Sequence, residues 1–220
     1  TVMQQITASV LGVPDEMVRV IEGDTDATPY GGGTYASRAT AIGGEATYQA
    51  ALALRAELLV IAGALLQSNP EQIDILNGNI VDAGTDNIRI SLSELGRIAH
   101  FQVAQLPNEI EPQLSHTKRF RLRDALYIFT NGIQGAYVEV DPDTGFITLL
   151  NHWVVEDCGR VINPILADEQ VRGGCVQGIG GALYEHCIYD DQAQLLNGSL
   201  VDYIVPMASE MPDIDVAHVQ

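Results

Sequence analysis

A run of three glycines sets the strongest limit on this chain. Gly31-Gly32-Gly33-Thr34-Tyr35-Ala36-Ser37-Arg38-Ala39-Thr40-Ala41-Ile42-Gly43-Gly44 joins a short apolar run ending near Ile21 to an Ala/Leu-rich segment from Glu45. Without Cβ atoms the glycines reach backbone conformations closed to other residues and let another molecule come close. The small residues that follow carry a single cation, Arg38. A glycine-rich loop running into a helix start gathers unpaired N–H groups and favours a phosphate or another anion. Neither a Gly-Lys-Ser/Thr sequence nor a G-x-G-x-x-G in a βαβ setting is present here, so the phosphate-binding loop of nucleotidases and the dinucleotide fingerprint do not apply. An ordinary flexible strand-to-helix connection is the competing reading.

The segment from Glu45 to Gln67 holds strong helix formers with apolar residues on most sides, which predicts a largely buried helix roughly 30 Å long. Arg55 and Glu57 break its apolar stretch, against a membrane span. Ahead of the loop, Val2, Ile6, Val10 and Leu11 share one face, predicting a short helix that closes at Gly12 and Pro14; Met17–Ile21 alternates like a strand.

Beyond Ser68-Asn69-Pro70, Ile73–Leu76 and Ile80-Val81 flank Asn77-Gly78, a hairpin signal, with Ile88–Ile90 as a third strand. Ser91 and Glu94 have capping-box spacing for a further helix. Residues 108–123 are irregular, which marks 105–125 as a possible boundary between two subdomains within 1–220. Gly135–Val140, the turn Asp141-Pro142-Asp143-Thr144-Gly145 and Phe146–Val155 form a second hairpin. A helix is expected from Ile165 to His186. Its five glycines (173, 174, 178, 180 and 181) each cost on the order of 1 kcal/mol against alanine, which close packing or a ligand must offset. Gln177 is the polar side chain in their midst, and its amide needs a partner if buried. The expected fold class is α+β, mixed sheets with packed helices.

A net charge of −18 argues against phosphate neutralisation on nucleic acid and against an anionic membrane surface. The three cysteines, Cys158, Cys175 and Cys187, fit no C-x-x-C pair and read as buried thiols of a reduced, cytoplasmic protein. His152-Trp153 and His186-Cys187 read as packing or capping pairs, and His100, His116 and His218 show no ligand spacing. Glu45, Glu185 and Glu210 read as structural carboxylates. Thr1 enters helical periodicity directly and the end follows an acidic, proline-containing run, so a piece of a longer polypeptide is expected.

Five blocks in order carry a resemblance: Leu11-Gly12-Val13-Pro14, Val20-Ile21-Glu22-Gly23-Asp24-Thr25-Asp26, Gly33-Thr34-Tyr35-Ala36-Ser37-Arg38, Asp157-Cys158-Gly159-Arg160-Val161-Ile162-Asn163-Pro164, and Val176-Gln177-Gly178-Ile179-Gly180-Gly181-Ala182-Leu183-Tyr184-Glu185. Together they resemble the C-terminal portion of the molybdopterin-binding large subunit in the xanthine dehydrogenase, aldehyde oxidase and carbon monoxide dehydrogenase family. The resemblance implies the second molybdenum-cofactor-binding domain of such an oxidoreductase. These enzymes hydroxylate aldehydes or N-heterocycles with water as oxygen source. It also implies a molybdenum–molybdopterin cofactor, in bacteria usually the cytosine dinucleotide form. FAD and two [2Fe–2S] clusters are expected on other subunits or domains, and the assembled enzyme is expected to be a dimer. Some relatives are exported through a partner's signal, which leaves a periplasmic location open. Ala36, Ser37, Arg38 and Ala39 then lie along the pterin and its phosphates, with Gln177 hydrogen-bonding near it.

The family's catalytic Glu lies in a Gly-x-Gly-Glu segment beyond the region matching Asp213-Ile214-Asp215-Val216, so no catalytic residue and no metal ligand is assigned here. The alternative is a non-catalytic scaffold or assembly module of the same family; a hydrolase using an isolated carboxylate ranks far lower.

Overall fold

The computed structural model describes residues 1–123 and 128–219. The chain divides into two compact units, Thr1–Ile128 and Phe129–Gln220.

In the first unit, α1 (Val2–Leu11) stops at Gly12, whose φ of 67° ends the helix in a left-handed turn, its N–H donating to the Ala8 carbonyl. A 3₁₀ turn, Asp15–Met17, follows Pro14. The strand expected over Met17–Ile21 does not form. Met17, Val20 and Ile21 are exposed, and no ladder partner meets them among the described residues. An alternating pattern supplies a strand's side chains but not the neighbour its N–H and C=O groups require.

The glycine-rich loop enters a π-helical turn, Ala39–Gly43, continued by α2 (Gly44–Leu66). Three antiparallel strands follow in the order β1 (Ile73–Leu76), β2 (Asn79–Asp82) and β3 (Ile88–Ser91). Asn77 and Gly78, at φ 47° and 76°, make the tight turn between the first two. Ser91 caps α3 (Leu92–Phe101) by accepting the Glu94 N–H at 3.2 Å. The Glu94 carboxylate does not complete the box; it accepts from Arg97 at 2.6 and 2.7 Å.

The core of this unit is aliphatic: Leu58, Ile61 and Ala62 of α2 pack with Ile73, Ile75 and Ile80 of the sheet and Leu95 of α3. Contrary to the expectation of a largely buried helix, α2 exposes Tyr48, Leu52 and Val60. The span Ala39–Leu66 is long and apolar enough by composition to cross a membrane. The two charges in the middle of this span, Arg55 and Glu57, are nevertheless tied to neighbouring segments. Arg55 pairs with Asp74 of β1 and donates to the Val10 carbonyl at 3.3 Å. Glu57 accepts the N–H groups of Gln113 and Leu114 (2.7 and 3.2 Å) and meets His116 Nε2 at 2.7 Å.

In the second unit, β4 (Asn131–Val140) and β5 (Ile147–Asp157) form the long hairpin that the turn chemistry predicts. β6 (Ile214–His218) joins β5 in parallel, placing His152 against Ile214 and Glu156 against His218. Between them runs α4 (Pro164–Leu183), capped where Asn163 Oδ1 accepts the Leu166 N–H. It ends three residues short of the expected His186, where the Gly180 carbonyl accepts both the Tyr184 and Glu185 N–H groups. Cys175, Val171 and Val176 of α4 pack with Val154 and Ile214.

Tyr203 donates to Glu185 at 2.6 Å, and this bond, with burial and the charge of Glu185, pushes its phenol up to about 12. Glu45 accepts from Gln49 and Glu210 from the Met207 N–H, both local structural bonds. Of the three cysteines only Cys175 is buried; Cys158 and Cys187 are exposed, a correction to the expectation of three buried thiols. Both lie in irregular segments, Cys158 just after β5 and Cys187 after α4, where the sulfur reaches the surface.

Candidate cofactor-binding site

The loop of the first unit is shaped by left-handed backbone. Gly32 and Gly33 have φ of 74° and 83°, and, unusually for residues with a Cβ, Ala36 and Ser37 both sit at 53°. Left-handed geometry costs such residues roughly 1–2 kcal/mol each, and strain of this kind concentrates where a backbone must be held in a set shape. Its result is a tight reversal that carries the chain from Gly33 to Arg38, directly at the start of the π-helical turn. A π-turn is itself rare and recurs at functional sites.

Arg38 folds back over this reversal. Its Nη2 donates to the Gly33 carbonyl at 3.0 Å, and its guanidinium carbon lies 4.0 Å over the Tyr35 ring. Two contacts thereby orient a planar cation that still has further N–H donors. Ala36, Ser37 and Ala39 are exposed and Arg38 half-exposed. The first N–H groups of the helical segment have no intrahelical acceptor, so the loop presents N–H donors and a cation together. The three-residue spacing of Tyr35 and Arg38 is visible in the sequence, but the paired left-handed residues between them are not.

Gln177 belongs to the second unit, on α4. Gly173, Gln177 and Gly181 recur every four residues, with Gly174 and Gly178 alongside, so all five occupy one face of the helix. Of the two expected offsets, close packing or a ligand, close packing was expected to account for most of these glycines, and the structure corrects that. Among the described residues, a methyl group built on Gly173, Gly174, Gly178 or Gly181 meets nothing within 4 Å beyond its own stretch of helix. Only Gly180 is tight, where a methyl would strike the Glu185 carboxylate and lie 3.0 Å from the Pro206 ring. Gln177 is exposed, so its amide is free of the desolvation cost that burial would impose.

Among the described residues no three His, Cys, Asp or Glu side chains converge as metal ligands. In the first unit the donors present are backbone N–H groups and one guanidinium, which suit an anionic group better than a bare metal ion; in the second, Gln177 offers an exposed amide.

The α+β chain thus carries a strained, cationic loop at a helix start in its first unit and a bare glycine face on a helix in its second. The chain belongs to the molybdopterin cofactor-binding domain family, which it matches over residues 1–212. It is 35% identical over its whole length to the nicotine 6-hydroxylase large subunit of Paenarthrobacter nicotinovorans, of which it covers 27%. It is 33% identical to the carbon monoxide dehydrogenase large chain of Hydrogenophaga pseudoflava, over 99% of this chain and 26% of that one. Among solved structures, quinoline 2-oxidoreductase from Pseudomonas putida 86 aligns over 100% of this chain and 28% of its own, at 35% identity and a TM-score of 0.84. The chain thus spans about a quarter of the length of these relatives.

Proposed function

We propose that this chain is the second cofactor-holding domain in the large subunit of a molybdenum hydroxylase, an oxidoreductase that hydroxylates an aldehyde or N-heterocycle. The observation that carries the reading is the strained Ala36-Ser37 reversal. It brings Arg38 and the helix-start N–H groups together on one loop in a chain that belongs to a molybdopterin-binding family.

In this reading Ala36, Ser37 and Ala39 would present backbone N–H groups to a phosphate of the cofactor, and Arg38 would pair with it through its remaining N–H donors. Gln177 offers an amide, donor and acceptor at once, to the edge of the pterin; the glycines around it let a flat ring approach the helix backbone. The cofactor, as a molybdopterin cytosine dinucleotide, supplies the oxidation–reduction chemistry that amino-acid side chains lack. The path for electrons would be supplied by [2Fe–2S] and FAD groups on other subunits or domains, in a cytoplasmic, dimeric assembly. The relatives' names, a nicotine hydroxylase and a carbon monoxide dehydrogenase among them, support a large-subunit role.

The test is cofactor retention in the complete large subunit, purified from a host that makes molybdopterin. Arg38→Ala and Gln177→Ala are each expected to lower pterin and molybdenum content about tenfold, the scale of removing one supporting contact at a bound metal centre. Pterin is read by fluorescence after oxidative release and molybdenum by elemental analysis. Unchanged content in both variants would sink the residue assignments.

A further inference from the structure

The second unit places a cysteine, a histidine and an aspartate in series at the carboxyl ends of its two parallel strands. Cys158 follows β5 and is exposed. His218 closes β6, and its Nδ1 lies 3.8 Å from the Cys158 sulfur. On the other side of the ring, Nε2 is 2.7 Å from Oδ1 of Asp168, in the first half of α4. A carboxylate can only accept, so this bond places the ring proton on Nε2 and turns the lone pair of Nδ1 toward the thiol. The His218 side chain is only 15% exposed, and β6 pairing holds its backbone, so the ring is fixed between its two neighbours. A nucleophile, a base beside it and a third group orienting the base constitute the general signature of an activated nucleophile, whose separations are often loose when no substrate is bound.

The other two cysteines serve as built-in comparisons. Cys175 is buried and donates toward the Gln134 amide oxygen at 3.6 Å; burial, with a contribution from Glu156, pushes its thiol up. Cys187 is exposed like Cys158 but makes no hydrogen bond to an imidazole among the described residues.

We propose that Cys158, His218 and Asp168 form a reactive-thiol site that adds covalently to soft carbon electrophiles of the α,β-unsaturated carbonyl class. His218 Nδ1 takes the thiol proton, and the sulfur forms a bond to the β-carbon of the electrophile. The C=C π pair moves onto the carbonyl as an enolate, and the imidazolium returns the proton to the α-carbon. The sum is one S–C and one C–H bond formed, one S–H and one π bond broken, with no oxidant or reductant required. Cys158 is the reacting group; His218 is its base; Asp168 is a positioning residue. The site uses the second unit alone and does not depend on the pterin reading.

The probe is N-ethylmaleimide at neutral pH on the complete subunit in its assembled complex, with each cysteine followed by peptide mass spectrometry. Cys158 is expected to react about tenfold faster than Cys187, and Cys175 slowest. His218→Gln is expected to bring Cys158 down to the rate of Cys187 while leaving Cys187 unchanged, which reports an intact fold. Free imidazole added to a His218→Gly variant is expected to restore the Cys158 rate, a rescue that a merely structural histidine would not give. Should the histidine variants fail to fold, Asp168→Asn carries the test, with a smaller expected drop at Cys158 alone. Equal rates at Cys158 and Cys187, a Cys158 shielded in the complex, or a rate indifferent to both the His218 and Asp168 changes would overturn the proposal.

Discussion

Gly12→Ala is expected to loosen the entire first unit. A methyl at this position lands on the Ile75 carbonyl of β1, with the carbonyl carbon at 2.9 Å, and both are backbone atoms that cannot rotate aside. The residue also keeps a φ of 67°, which a Cβ disfavours. The Gly12 carbonyl in turn accepts the Gly78 N–H at 3.1 Å, so any shift of residue 12 pulls on the hairpin turn. Backbone strain and overpacking together place the cost at about 2–4 kcal/mol, in the upper range for a single substitution. At tenfold per 1.4 kcal/mol, amides of α2, β1 and β2 should exchange with solvent roughly thirty- to several-hundredfold faster in the complete subunit. Exchange confined to residues 10–14 would show that the turn gives way locally.

The second large effect centres on Glu57, which lies inside the longest apolar helix yet holds down the irregular connection. Burial pushes its carboxyl up, but the N–H groups of Gln113 and Leu114 and the His116 side chain outweigh that and hold it below the ordinary 4.5. Glu57→Ala strips the acceptor from both N–H groups. Since Gln113 is exposed and Leu114 half-buried, the expected loss is about 1–2 kcal/mol, at the lower end for unsatisfied donors. The sign of the pH effect follows from the lowered folded value. The contribution is fully present above the unfolded value near 4.5 and is lost as pH falls through the folded one. Protection of the Gln113 and Leu114 amides should therefore decline on acidification below about pH 4.5 in the wild type. In Glu57→Ala it should already be low at neutral pH. Equal protection in the two proteins would contradict this role.

Much of the fold was legible because it rests on local chemistry. The Asn77-Gly78 turn, the Asp141–Gly145 turn, the Ser91 cap and the Gly12 stop are each dictated within a few residues. What was not legible depends on distant neighbours. Met17–Ile21 has a strand's alternation but no partner strand among the described residues. The exposed side of α2 has the same composition as its buried side, so periodicity gave no warning of which positions, such as Leu52 and Val60, face outward. The α4 glycines announced close approach but not by what, and an added methyl on four of the five would meet no described residue beyond its own stretch of helix. The Cys158–His218–Asp168 series joins positions 50 and 60 residues apart, set by parallel strand register that a sequence does not print. At the loop, the glycines and Arg38 were visible, whereas the left-handed Ala36 and Ser37 arise from a reversal that no propensity scale favours.

The pterin and molybdenum content of the unmodified complete subunit tests the central claim most directly. Purified from a host able to make molybdopterin, a folded subunit is expected to carry pterin and molybdenum in stoichiometric amounts. A folded subunit from the same host with neither would contradict it and favour a scaffold that has kept the family's fold without its cofactor.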